Sequence, residues 1–445
     1  MITHNDTSPV LHRVVKVPSE FRLTETVDGT NVTYGGDVRM GDLRNTGSAD
    51  FLVYRSVDDA HDGGGMKPCF LGAFDIDGTP LWRQGDGGTQ PTRPGPVAIH
   101  DIDGDGRTEV VCLFHDPSIE AAPTSMANVC IQIRDGETGE IKGQAAPEGL
   151  RACEGEGPNW AHQRIMIANF RGRSTPQDFV IKLGEHILAF DSSLDLLWEY
   201  VCPWTDYGHC PSYIVAVGDI DGDGRDEVNG GYFLLDHDGS ALWENDIAPH
   251  MDSVAVDLWD KGRMRAICSG YGHVVDASGE VVLALGEAHV PHGQEVRVGC
   301  FSGERRDPHM VIRHNGHCAS ALVVDTSGRV VNELEMNATL NNTGMEVVRW
   351  NGVDGPDLLY NGGMLWDPLS GGGVTLPDLP LPEAVGRMAW YHCIPANVCG
   401  DAREELVLYN PWDTGIYIFT QNNNAPVAAP DLKFGPRQYN ARLMD

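Results

Sequence analysis

Asp101-Ile102-Asp103-Gly104-Asp105-Gly106-Arg107-Thr108-Glu109 recurs almost unchanged as Asp219-Ile220-Asp221-Gly222-Asp223-Gly224-Arg225-Asp226-Glu227. In such a loop, carboxylates at the first, third and fifth positions converge on one point. A main-chain carbonyl at the seventh position (Arg107, Arg225) and a carboxylate at the ninth complete an oxygen cage that suits Ca²⁺ better than Zn²⁺ or Mg²⁺. The glycines permit the positive φ that so tight a turn needs. The spacing is shorter than an EF-hand loop and no helical pattern flanks it, so these are loops between strands. The alternative is an Asp-Gly turn without metal.

Working outward, each loop joins two apolar runs, as where Val97–Asp101 leads to Val110-Val111-Cys112-Leu113. The same phrase begins near Ile214, which leads into the second loop, and with fewer carboxylates near Val38, Ile165, Val254, Val296, Met345 and Trp390. The loops Asp42 to Asp50, Asn169 to Asp178, Asp257 to Arg263 and Asn351 to Asp357 read as plain turns. A second phrase follows most copies: an apolar run, Asp, Gly two or three residues later, and a run often ending in Trp. Examples are Phe74–Trp82 and Leu235–Trp243. Two hairpins per unit make a four-stranded blade, and blades packed around an axis bury both faces of each sheet. The expectation is an all-β propeller of eight four-stranded antiparallel blades, or seven. It would form a single domain over 1–445, with the N- and C-terminal segments closing the ring.

Composition agrees. The 445 residues include 53 Gly and 27 Pro, which favours strands and turns over long helices. A formal charge of −32 repels polyanions, so nucleic acid and anionic membranes are excluded as partners. No run of roughly 20 apolar residues is present to span a bilayer. The start Met1-Ile2-Thr3-His4-Asn5-Asp6 lacks the basic and apolar regions of a secretory signal. A cytoplasmic location is expected, or an extracellular one if the chain is a processed form. Eleven cysteines without a C-x-x-C pair read as buried thiols in a reducing compartment.

Residues at the start of each first strand are polar. They include Arg93; Asn159, His162, Gln163 and Arg164; His209 and Ser212; His250, Asp252 and Ser253; His292, Gln294 and Glu295; Asn341, Asn342 and Thr343; and Tyr391 and His392. If first strands line the axis, these starts meet at one mouth. A lone histidine is more often structural than functional, but recurrence at one register lifts the set above that. No Gly-x-Ser-x-Gly elbow, P-loop or zinc-protease helix is present.

The recurring phrase resembles FG-GAP-type propeller repeats. Val398-Cys399-Gly400-Asp401-Ala402-Arg403-Glu404-Glu405-Leu406-Val407-Leu408, followed by Ile416–Thr420, resembles the last blade of family 11 rhamnogalacturonan lyases. Arg437-Gln438-Tyr439-Asn440-Ala441 is similar to that family's closing segment. The resemblance implies a calcium-bearing lyase that breaks an acidic, rhamnose-containing glycan by β-elimination. That chemistry needs a cation for the uronate carboxylate, a base for the C5 proton and an acid for the leaving oxygen. By register, Ca²⁺, Arg93 or Arg164 would supply the cation. His250 and His292, then His162, would be the base, and Tyr391 or another histidine the acid. The remaining polar starts, Asn159, Gln163, His209, Asp252, Gln294, Asn341, Asn342 and His392, would hold the sugar. The alternatives are a binding propeller without catalysis and a propeller glycoside hydrolase.

Overall fold

Eight four-stranded antiparallel sheets follow one another along the chain. The computed structural model describes residues 7–422 apart from 28, 58–66, 89–94, 117, 122–124, 153–163, 205–210, 305, 337–343, 353, 382–390 and 402. Blades 1 to 7 occupy 37–85, 97–145, 164–201, 216–244, 254–284, 295–335 and 346–375. Blade 8 takes three strands from 392–421 and its outer strand from Pro9–Lys16, which pairs antiparallel with Gly415–Gln421. One sheet built from both ends of the chain fastens the ring without leaving an open edge there. The closing segment expected at 424–445 lies outside the described residues. Among the described residues, helix is limited to single short turns.

First strands of successive blades lie beside one another, so they line the axis as expected. They are short and mostly buried, for example Asp37–Gly41, Arg164–Ala168 and Glu295–Gly299. Their apolar side chains alternate between neighbouring inter-blade cores, as period-two strands require.

The second repeated phrase also has a physical role. In its turn Asp75 Oδ1 accepts the N–H groups of Asp77 and Thr79, and Gly78 takes φ 81°. The strand pair is bulged at Ala73/Phe74, and the same bulge recurs in blades 2 to 6. The tryptophan that ends the phrase reaches the equivalent turn of the next blade. Trp82 Nε1 donates to Gly136 O at 2.7 Å, Trp198 to His237 O at 2.8 Å and Trp243 to Asp276 O at 3.2 Å. Asn332, at the same register in blade 6, donates to Pro368 O instead.

The nine described cysteines, Cys393 and Cys399 among them, form no disulfide with one another. Burial pushes the Cys69 thiol up to about 11 and that of Cys112 up to about 12, so neither is a ready nucleophile. No helix among the described residues is long and apolar enough to cross a membrane.

Candidate functional site

The starts of blades 5 and 6 bring His250, Asp252 and His292 together. Asp252 is 1 % exposed, and its two oxygens face the two imidazoles. His250 Nε2 lies 2.5 Å from Oδ1, and His292 Nε2 lies 3.2 Å from Oδ2. The rings stand 4.7 Å apart. Burial pushes the Asp252 carboxyl up, but the two histidine hydrogen bonds outweigh it and hold the group below its ordinary value. Asp252 is therefore an anion at neutral pH.

An imidazole whose Nε2–H donates to a carboxylate presents a lone pair at Nδ1. His292, with 42 % of its side chain exposed, is the open member; His250 is 12 % exposed and packs against Tyr213. Backbone bonds fix the His292 loop: His292 N donates to His314 O, and Gly316 N to His292 O. The three side chains also meet the distance requirement for a cation, their donor atoms lying within 4.8 Å of one another. Their separations are nevertheless those of hydrogen bonds.

Other predicted residues are placed differently. Tyr391 is buried, with its hydroxyl against Asp413 and Tyr417. Burial and the Asp413 charge raise its ionisation well above the usual tyrosine value, so it is a packed residue, not an open acid. His392 is 1 % exposed, tilted against the Tyr409 ring. Gln294 is also buried, its N–H donating to Arg313 O. Arg164 is buried within electrostatic range of Tyr54, so its charge acts inside the axis. Arg93, Asn159, His162, Gln163, His209, Asn341 and Asn342 lie outside the described residues.

One axial charge group escaped the sequence reading, and a second was read there only as a polar strand start. Asp37 accepts from Tyr54 Oη at 2.5 Å, Tyr54 Oη accepts from Gly95 N, and Arg39 Nη2 donates to Gly95 O at 3.0 Å. Between blades 6 and 7, Glu295 pairs with Arg297 at 3.0 Å and accepts Met345 N at 2.9 Å. The signal available for the first was the same strand-start register, where blade 1 carries Asp37 and Arg39.

The two Asp-rich loops each gather three carboxylates, Asp101, Asp103 and Glu109 in blade 2 and Asp219, Asp221 and Glu227 in blade 4. Asp105 and Asp223 stand outside these groups; each accepts the N–H of the following arginine, Arg107 or Arg225. The Arg107 side chain turns to Glu137, and that of Arg225 to His237. Burial pushes Glu109 up to about 7 and Glu227 up to about 8. Glu227 Oε1 is buried with no hydrogen-bond partner among the described residues. A buried acceptor left so beside two more carboxylates fits a hard cation.

No protein-family model matches the chain. Over 277 residues it is 25% identical to rhamnogalacturonan exolyase YesX of Bacillus subtilis (strain 168), covering 54% of this chain and 44% of that protein. Over 284 residues it is 23% identical to rhamnogalacturonan endolyase YesW of the same organism, with the same two coverages. The solved structure of Bacillus licheniformis rhamnogalacturonan lyase PL11 shares the fold. Its TM-score is 0.69 at 21% identity, covering 92% of this chain and 75% of that one. The match thus spans less than half the length of the curated relatives, while the likeness in fold to the Bacillus licheniformis structure extends over 92% of this chain.

Proposed function

We propose that the chain cleaves an acidic glycan of the rhamnogalacturonan type, built of rhamnose and uronate, by β-elimination. The observation that carries this is the match of 54% of the chain to two lyases that act on rhamnogalacturonan. The chemistry of the mouth supports it. His292 Nδ1 takes the C5 proton of the uronate. The C–H electrons form the C4–C5 double bond, and the C4–O bond breaks. Asp252 fixes the ring and stabilises the imidazolium that results, as a carboxylate behind a histidine base does. His250, held on the same carboxylate, protonates the leaving oxygen. A positive charge beside the uronate carboxylate would acidify the C5 proton, and Arg93 or a bound Ca²⁺ would supply it.

The test is the mass of the products from rhamnogalacturonan. Elimination leaves each new non-reducing uronate lighter by one water than hydrolysis does. Unsaturated ends support the reading. Saturated ends mean a hydrolase, and an intact polymer that nevertheless binds means a binding propeller.

A further inference from the structure

Five blades carry a buried carboxylate at one register, the first residue of the second strand: Asp50, Glu109, Asp178, Glu227 and Glu405. In all five, one carboxylate oxygen accepts an N–H from the preceding loop: Arg44, Ile102, Arg171, Ile220 and Val398. The other oxygen is where the blades differ. Asp50 Oδ1 meets Arg44 Nη2 at 2.8 Å, and Asp178 Oδ1 meets Arg171 Nε at 2.7 Å. Glu405 Oε1 accepts from Thr420 at 3.1 Å. Glu109 Oε1 meets Lys142 Nζ at 2.7 Å. Glu227 Oε1 alone of the five has no hydrogen-bond partner among the described residues.

Lys142 does more than neutralise Glu109. Its ammonium also lies 2.7 Å from Asp103 Oδ2 and 3.4 Å from Asp105 Oδ2, at the point where the loop's carboxylates gather; only Asp101 Oδ1 is left without a bond. Strand register shows why blade 4 differs. In blade 2, Ile133 pairs with Gly143 and Arg134 with Ile141, leaving Lys142 in the bulge. In blade 4, Leu234 pairs with Trp243 and Leu235 with Ala241, leaving Leu242 in the same bulge. Leu242 is 37% exposed and offers no charge.

We propose that the residue in this bulge decides whether an Asp-rich loop takes a divalent cation. Lys142 supplies a tethered ammonium that excludes metal from the blade 2 loop, and Leu242 leaves the blade 4 loop open to it. Two loops of nearly identical sequence thus differ in function because of a residue that lies outside both. A divalent ion entering the blade 2 loop must first displace an ammonium already held by three carboxylates.

The experiment counts Ca²⁺ bound per full-length chain by calorimetric titration, with near-UV circular dichroism to confirm folding. Lys142→Leu raises the count by one, and adding Asp103→Asn to it lowers the count again. Asp103→Asn alone leaves the wild-type count unchanged. Leu242→Lys lowers the count by one. Should Lys142→Leu not fold, Lys142→Gln replaces it with the same expectation. An unchanged count in the Lys142 variants, a lower count in Asp103→Asn alone, or an unchanged count in Leu242→Lys overturns the proposal.

Discussion

Asp226 in blade 4 and Asn169 in blade 3 hold each other by two bonds: Asn169 N donates to Asp226 Oδ2 at 2.7 Å, and Asp226 N donates to Asn169 O at 3.2 Å. The same two-point clamp joins Asp357 to Cys300 and Glu404 to Arg349, across blades 6 to 7 and 7 to 8. In each case the acidic residue immediately precedes the second strand, so the phrase that shapes a loop also docks it to the blade before. Asp226→Ala should cost about 1–3 kcal/mol by leaving a half-buried N–H without its charged acceptor. Asp226→Asn, which keeps an acceptor, should cost less. Urea unfolding in the presence of chelator measures both without interference from metal binding.

The blade 4 loop should link calcium to stability. Added Ca²⁺ at about 100 times its dissociation constant should stabilise the fold by about 2.7 kcal/mol per site. Glu227→Gln removes the ninth ligand charge. It should abolish most of the calcium-dependent rise in melting temperature, whereas Glu109→Gln should leave that rise in place. Calorimetric melts with and without chelator separate the two.

Burial pushes the Asp257 carboxyl from 3.8 up to about 6, although the Leu258 N–H and the Arg349 charge pull it down. The folded protein therefore holds a proton that the unfolded chain releases. The stability it contributes is complete below about pH 4 and is lost as pH rises through about 6. Asp257→Asn should flatten this fall, gaining on wild type at pH 7 relative to pH 4. A constant difference in unfolding free energy across that range would contradict it.

The histidine pair makes the sharpest catalytic prediction. Loss of a proton-transfer group costs about 10²- to 10⁴-fold. His292→Ala should lie in that range, with turnover falling and KM little changed. Asp252→Asn should also slow turnover and shift its pH profile, because an amide neither orients the imidazole nor stabilises its charge as a carboxylate does. Steady-state kinetics across pH distinguish that shift from simple loss of structure.

Eight blades were legible because turn chemistry is local. Asp75 and Gly78 close their turn with bonds inside five residues, and each repeat announces itself. His250, Asp252 and His292 were also legible, since a shared strand register places starts from neighbouring blades together. Lys142 was not. It sits 33 residues from Glu109 in an outer strand, and a bulge aims it at the loop. Tyr391 had the right register, but Asp413 and Tyr417 close over its hydroxyl, a contact no spacing reveals. Calcium at both Asp-rich loops was the natural expectation from their sequence; the difference proposed between them rests on residues 142 and 242, which lie outside both.

The most direct test of the central claim is the ultraviolet absorbance of unsaturated uronate, followed while the protein is incubated with rhamnogalacturonan. The account predicts a steady rise with wild type that His292→Ala reduces at least about 100-fold. No rise from folded, calcium-replete protein, or an equal rise with the variant, would contradict it.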